Sequence, residues 1–579
     1  MIRSHVRCAV FALLLLAAPC FGASPKLSPD LAGLDPASFV DVIVQFAALP
    51  DQAQAARIHA LGGNPKLDLS LINAAVYSLP AAALNALANS PNVVYVSPDR
   101  QVAATLENAN PTVGAQLAVQ NGWDGTGVGV AIIDSGVLGE LDLLDKSTNA
   151  SNVSRIVYSQ SFVPKVTSTA DQYGHGTHVA GIVAGNGTSS TGNSDFKTFL
   201  GMAPNAKLIN LRVLDSNGAG TDSNVINAIN AAIQLKNKYN IRVMNLSLGR
   251  PVFESYTLDP LCQAVERAWQ AGIVVVVAAG NQGRNSLTSG YSTITAPGND
   301  PLVITVGAMK TMGTASRADD LIASYSSKGP ALLDHVVKPD LVAPGNRVIS
   351  LLASKSMIAS KSGPNKVLYP YYQNTLNKAY SADYYRLSGT SMAAPMVSGA
   401  VALMLTKDWS LTPETIKARL MKTATKILPL YSTAVDPVTN TSYTSQYDIF
   451  TIGAGYLDIW GALNSTDSIP AGSTAASPTA VFNPATNTVT VINTNTAVWG
   501  TAAVWGTAAV WGTAAVWGTS VFVDGQAAVW GSSAVWGSAA VWGTGGAQAN
   551  AAVWGTVAIW GTSTNPTGET LSLLINGEN

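Results

Sequence analysis

Five short apolar runs, GVGVAII, KLINLRV, RVMNLSL, IVVVVAA and LVITVGA, are separated by helix-like stretches such as SNVINAINAAIQLKN and LDPLCQAVERAWQAG. The runs are rich in β-branched residues and lack polar alternation, the mark of strands buried on both faces. Their alternation with helices predicts an α/β fold over residues 105–464, a mostly parallel doubly wound sheet with helices on both faces. Ligands of such sheets sit beyond the carboxyl ends of the strands. Two polar residues fall at such ends: Asp134 closes the strand of VGVAIIDSG, and Asn281 follows the strand of GIVVVVAAGNQG.

Two helix-opening turns supply groups that complement them. GHGTHVAG starts at Gly174 and GTSMAAP at Gly389, which places a histidine and a serine at helix starts. A serine hydroxyl is a poor nucleophile at neutral pH and needs a base, and an imidazole titrating near pH 6.5 can serve. A carboxylate behind the imidazole fixes its tautomer and stabilises the imidazolium, a role that suits Asp134. The chain order Asp, His, Ser differs from the α/β-hydrolase and chymotrypsin orders and matches that of subtilisin. Taken singly these motifs are weak, since Asp-Ser-Gly and Gly-Thr-Ser are common turn signals. A histidine pair three apart also suggests metal ligation, but HGTHVAG lacks the glutamate of a zinc-protease helix and no cysteine or carboxylate cluster accompanies it.

Together, in this order, the four segments make the chain resemble the subtilisin-like serine peptidases, the subtilases. The resemblance implies Ser391 as nucleophile, Asp134 as orienting carboxylate and His175, first in the H-G-T-x-V-A-G string, as base, with His178 packing inside. It implies Asn281 as donor to the oxyanion, joined by the backbone N–H of Ser391. Pro395, early in the serine helix, removes at most one helix bond. SNGAG and LSLGR match the family's two substrate-flanking edge strands, which assigns Gly218, Gly220, Ser247, Leu248 and Gly249 to substrate binding. Such main-chain pairing reads extended backbone rather than sequence, so broad endopeptidase specificity follows. Ala278, Ala279 and Gly280 are expected in the S1 wall, and the Lys- and Tyr-rich stretch 354–385 reads as a surface insertion near the primed side. No cofactor is implied. Calcium binding is common among subtilases, and no ligand string here marks a site.

The flanks are read separately. Arg3 and Arg7 precede an apolar stretch at 9–18 and small residues at Gly22 and Ala23, which predicts a signal peptide over 1–23 and a secreted protein. The stretch is too short for a permanent span, and no other reaches transmembrane length. Losing Cys8 and Cys20 with the signal leaves Cys262, which has no partner for an internal disulfide and reads as a buried small hydrophobe. Residues 37–104 give strand, helix, strand, helix, strand, with room for one more short strand. They resemble the inhibitory propeptide of subtilases, which implies a self-processing zymogen whose propeptide lays its last segment in the cleft. With 33 basic and 34 acidic residues, there is no basic face for nucleic acid. The implied partners are polypeptide substrates and the propeptide itself.

Residues 465–496, rich in Ser, Thr, Ala, Asn and Pro, read as a linker. Beyond them A-V-W-G-T recurs, with Trp499, Trp505, Trp511 and Trp517, then Trp530, Trp536 and Trp542, then Trp554 and Trp560. An even step keeps tryptophans on one face of a strand, whereas six residues turn an α-helix by about 600°. The breaks hold Asp524-Gly525 and Gly545-Gly546, which are turn signals. Residues 497–579 therefore read as a β-type repeat and tail, or else as a low-complexity segment. Such an aromatic row suits contact with glycans or a cell surface, and tryptophans stacked into the module's own core give the same pattern. Two functions stay open: a secreted serine endopeptidase, or a surface-adhesion or structural protein whose repeat carries the function and whose peptidase serves self-processing.

Overall fold

The computed structural model describes residues 24–28, 31, 34–99, 101–104, 111–145, 153–314, 316–361, 363–483, 488–492 and 573–578. The expected signal segment, Cys8, Cys20 and the Trp-Gly repeats lie outside these residues.

The central sheet runs in the order Leu321–Ile322, Ile304–Lys310, Val274–Ala278, Ile241–Leu246, Gly129–Asp134, Lys207–Arg212, Ile156–Ser161, with Leu341–Pro344 also paired to Ile304–Lys310. Every pairing is parallel except that of the two-residue edge strand Leu321–Ile322. Gly129–Asp134, Val274–Ala278 and Ile304–Lys310 are buried at each residue, which is why their sequences show no alternation. Helices His175–Ala184 and Thr390–Lys407 pack against each other on one face, and Asp222–Tyr239 and Pro260–Gln270 on the other. Each fully buried Val or Ile of these strands contributes roughly 1.5–3 kcal/mol.

The first unit is a four-stranded antiparallel sheet in the order Asn64–Leu69, Ala74–Pro80, Phe39–Phe46, Val93–Pro98, with helices Gln52–Ala60 and Leu84–Ala88. Its period-2 pattern serves two interfaces. Val42, Val44, Phe46, Tyr77 and Leu79 pack with the unit's own helices, while Ile43, Ala74 and Val76 join the core of the large domain. Asp99 then reaches the start of helix Asp222–Tyr239, whose own N-cap, Thr221, makes no side-chain bond to the helix backbone. The Asp99 carboxylate accepts the Ser223 N–H at 2.7 Å and pairs with the Ser223 hydroxyl. It thereby satisfies a donor that the helix leaves open.

The supposed linker is a correction to the composition-based reading. Over 475–480 it lies against the catalytic body: Val337 N–H donates to Pro478 O at 2.8 Å, and Ala480 N–H to His335 O at 2.8 Å. The Ser477 hydroxyl donates to Asp340, and it accepts from Lys417 Nζ at 2.9 Å. Asp340, Lys338 and Lys417 are wholly buried, with Lys338 Nζ 2.7 Å and Lys417 Nζ 3.2 Å from the Asp340 carboxylate. The polar composition of this stretch satisfies buried charge rather than water. The insertion over 354–385 is likewise not all surface, since Tyr372, Tyr384 and Tyr385 are buried.

Candidate active site

Asp134 ends its strand pointing at the helix that begins with His175. His175 Nδ1 lies 2.6 Å from Asp134 Oδ1, and both side chains are wholly buried. The same oxygen accepts the Ser135 N–H at 2.7 Å, so it is an acceptor and the proton between the pair sits on Nδ1. Nε2 of the neutral ring is then the basic nitrogen.

The histidine helix has Gly174 as N-cap, at φ 107°, and so has no capping side chain of its own. Asp171 supplies one. Its carboxylate accepts Gly174 N–H at 2.6 Å, Thr177 N–H at 2.8 Å and the Ser135 hydroxyl at 2.8 Å. Burial nevertheless pushes its pKa above the usual carboxylate range. Arg212, wholly buried at the end of the neighbouring strand, holds the same loop through Ser168 O at 3.1 Å, Ala170 O at 2.8 Å and Gln172 Oε1 at 2.9 Å. Neither residue stood out in the sequence, because a lone buried Asp or Arg is indistinguishable there from a loop or strand-end charge.

His178 sits one turn on and faces away. Its Nε2 donates to Val348 O at 3.1 Å and Tyr385 O at 3.3 Å, and burial pushes its pKa down to about 3. This is a neutral, structural histidine.

Ser391 occupies the first turn of helix Thr390–Lys407, and its hydroxyl donates to Ser247 O at 3.1 Å. Pro395 has no N–H for the Ser391 carbonyl four residues back. The Ser247 hydroxyl takes that place, donating to Ser391 O at 2.7 Å. Ser247 accepts in turn from Asn245 Nδ2 at 2.9 Å, and Asn245 Oδ1 accepts from Ser398 at 2.8 Å. A buried polar chain thus fixes the serine helix to the end of strand Ile241–Leu246.

Asn281 is turned by Thr390. The Thr390 backbone N–H, which can only donate, meets Asn281 Oδ1 at 2.9 Å, so Nδ2 faces the other way. Thr390 Oγ1 also accepts the Gly280 N–H at 3.1 Å. Gly280 has φ +106°, and a Cβ there would lie 2.9 Å from Ser327 Oγ and from Thr295. Ala278 and Ala279 are buried beside it.

The expected substrate edges hold a strand of the chain itself. Gln101–Ala104 runs antiparallel between Ala219–Thr221 and Leu248–Gly249, with Val102 opposite Gly220, Ala103 opposite Ala219 and Gly249, and Ala104 opposite Leu248. Gly220, Leu248 and Gly249 therefore line it by main chain. Gly218 does not. It closes a turn onto Asp215 O and lies against the Tyr173 ring, which in turn stacks on His175 with centroids 6.3 Å apart. Cys262 is buried with Sγ 3.3 Å from Asn299 Oδ1, and burial raises its pKa, which makes it a poor nucleophile. Among the described residues no group of three or more His, Cys, Asp or Glu is arranged to hold a metal ion.

With this geometry in place, comparisons with known proteins are informative. Residues 125–455 match the Subtilase family of peptidases. The chain is 38% identical over 354 residues to the serine protease AprX of Bacillus subtilis, covering 60% of this chain and 72% of that protein. It is 33% identical over 368 residues to subtilisin E of the same species, covering 63% and 78%. Among solved structures it is similar to fervidolysin from Fervidobacterium pennivorans, a keratinolytic enzyme related to subtilisin. The TM-score is 0.54 at 21% identity, over 77% of this chain and 64% of that one, a likeness of fold. The chain belongs to the subtilase family and is a subtilisin-like serine endopeptidase.

Proposed function

We propose that Asp134, His175 and Ser391 form the catalytic triad of a secreted endopeptidase made as a self-processing zymogen. The 2.6 Å contact between His175 Nδ1 and Asp134 Oδ1, sealed from water, carries this reading. With Nδ1 committed to the carboxylate, Nε2 takes the Ser391 hydroxyl proton as the oxygen attacks a peptide carbonyl. The tetrahedral oxyanion is met by Asn281 Nδ2 and by the Ser391 N–H, which lies in the first turn of helix Thr390–Lys407. His175 then gives its proton to the leaving amine, and water repeats the sequence on the acyl-enzyme.

The placement of Gln101–Ala104 between the two edges supports residues 37–104 as an inhibitory propeptide. Its last residue, Ala104, lies opposite Leu248, next to Ser247, whose carbonyl accepts from the Ser391 hydroxyl. The cut is expected between Ala104 and Asn110. The basic, apolar and small residues of 1–23 support export, and no described helix is long and apolar enough to cross a membrane.

Replacing Ser391 with alanine tests this. The S391A chain should keep its propeptide and hydrolyse no casein, a loss on the order of a million-fold by analogy with subtilisin. N-terminal sequencing of the parent should find a start after Ala104. Maturation of S391A without added protease would contradict self-processing.

A further inference from the structure

Residues 573–578 return to the catalytic body from outside the matched family region 125–455, and they do so beside the nucleophile. Residues 573–576 form one helical turn, with Leu574 wholly buried and Leu573 nearly so in the main core. Gly577, at φ +61°, ends the turn by donating to Leu573 O at 2.9 Å. A Cβ there would run into the Ser388 hydroxyl and come within 3.0 Å of Asn346 Oδ1, so the approach requires glycine.

Glu578 has a wholly buried side chain. Its carboxylate accepts from Arg284 at 2.6 Å, from the Ser324 N–H at 3.1 Å and from the Ser324 hydroxyl, and lies 3.5 Å from Lys310 Nζ. Its backbone is read as well: Asn346 Oδ1 accepts the Glu578 N–H at 3.0 Å, and Asn346 Nδ2 donates to Glu578 O at 2.9 Å. A buried carboxylate persists only where cations and donors replace its water, and this socket provides them.

Both active-site loops end in this socket. Leu574 O accepts the Ser388 N–H at 3.2 Å, three residues before Ser391. Asn346 follows Gly345, whose carbonyl accepts the Gly389 N–H at 2.8 Å. Arg284 lies three residues after Asn281 and is tied to Ser324 Oγ at 2.8 Å. Removing the Glu578 charge takes one of two carboxylate partners from Arg284, leaving it Asp436 alone, and takes the carboxylate from beside the buried Lys310 Nζ.

We infer that residues 573–578 are a built-in brace of the active site, with Glu578 a positioning residue that locks the Ser388–Gly389 and Asn281–Arg284 loops in one arrangement. The inference rests on Ser391 and Asn281 acting as proposed above.

The test uses the full chain with Glu578→Gln and Glu578→Asp, with competent sites counted by fluorophosphonate labelling of Ser391 and kcat and KM measured on a chromogenic peptide. E578Q should lower kcat per labelled site at least tenfold with KM within twofold, and E578D should recover most of it. An E578Q enzyme with unchanged kcat per labelled site would overturn the brace. A parent that takes no label at Ser391 would instead sink the triad. Should E578Q not fold, a specific-protease site inserted within residues 493–572 of the S391A chain provides the second measurement. After cutting, the fragment bearing 573–578 should co-elute with the catalytic body on size exclusion, and its separation would overturn the proposal.

Discussion

The proposed oxyanion role of Asn281 turns on the direction of one amide, and the Thr390 backbone N–H sets it by occupying Oδ1. Asn281→Ala should lower kcat by about a hundred- to a thousand-fold and leave KM nearly unchanged, because the amide meets charge only in the transition state. Steady-state kinetics on a peptide substrate check this, and an unchanged kcat would show that Nδ2 takes no part. His178 gives a different prediction, one of stability. Its pKa falls from about 6.5 unfolded to about 3 folded, so the unfolded chain binds the proton more tightly. Its contribution is full above pH 6.5, declines as pH falls, and levels off near pH 3. Thermal unfolding against pH in the S391A background should show His178→Gln losing less stability across that window than its parent. Equal losses would contradict a buried neutral ring. The residues proposed to react were legible because the reaction demands particular side chains in a particular order. Asp171, Arg212 and Asn245 were not, because their roles exist only through partners distant in sequence.

Among the elements, the serine helix shows a local defect repaired from outside. Pro395 leaves the Ser391 carbonyl without a helical donor, and the Ser247 hydroxyl replaces it. Ser247→Ala strands that buried acceptor and should cost about 1–3 kcal/mol. Denaturant unfolding beside the parent is the measurement, and an unchanged midpoint would mean that another donor fills the gap. Buried parallel strands were legible as unbroken β-branched runs. Strand Asn64–Leu69 was anticipated only as room for a short strand, since each of its residues but Leu69 is exposed and no apolar period marks it. The pairing was hidden for a related reason: NGAG identifies a turn, but not that Ala219 and Gly220 pair with a neighbouring strand while Gly218 does not.

For the whole molecule, the boundary after residue 464 is where composition misled. A strip of Ser, Thr and Ala reads as a solvated linker, yet Ser477 completes a buried cluster with Asp340 and Lys417, and Glu414 accepts the Ala475 N–H. Truncation after Asn464 should therefore give a protein of markedly lower thermal stability than the full chain, and an equal unfolding temperature would restore the linker reading. The placement of residues 573–578 was equally hidden, because the segment carries no periodic signal and is held by partners far along the chain. The central claim is that Ser391, activated by His175 and Asp134, is the nucleophile. The most direct measurement is mass-spectrometric mapping of the matured protein after treatment with a fluorophosphonate. One adduct, on Ser391, with peptidolysis abolished in proportion to labelling, is the predicted result; active protein that stays unlabelled, or carries its adduct on another residue, would contradict it.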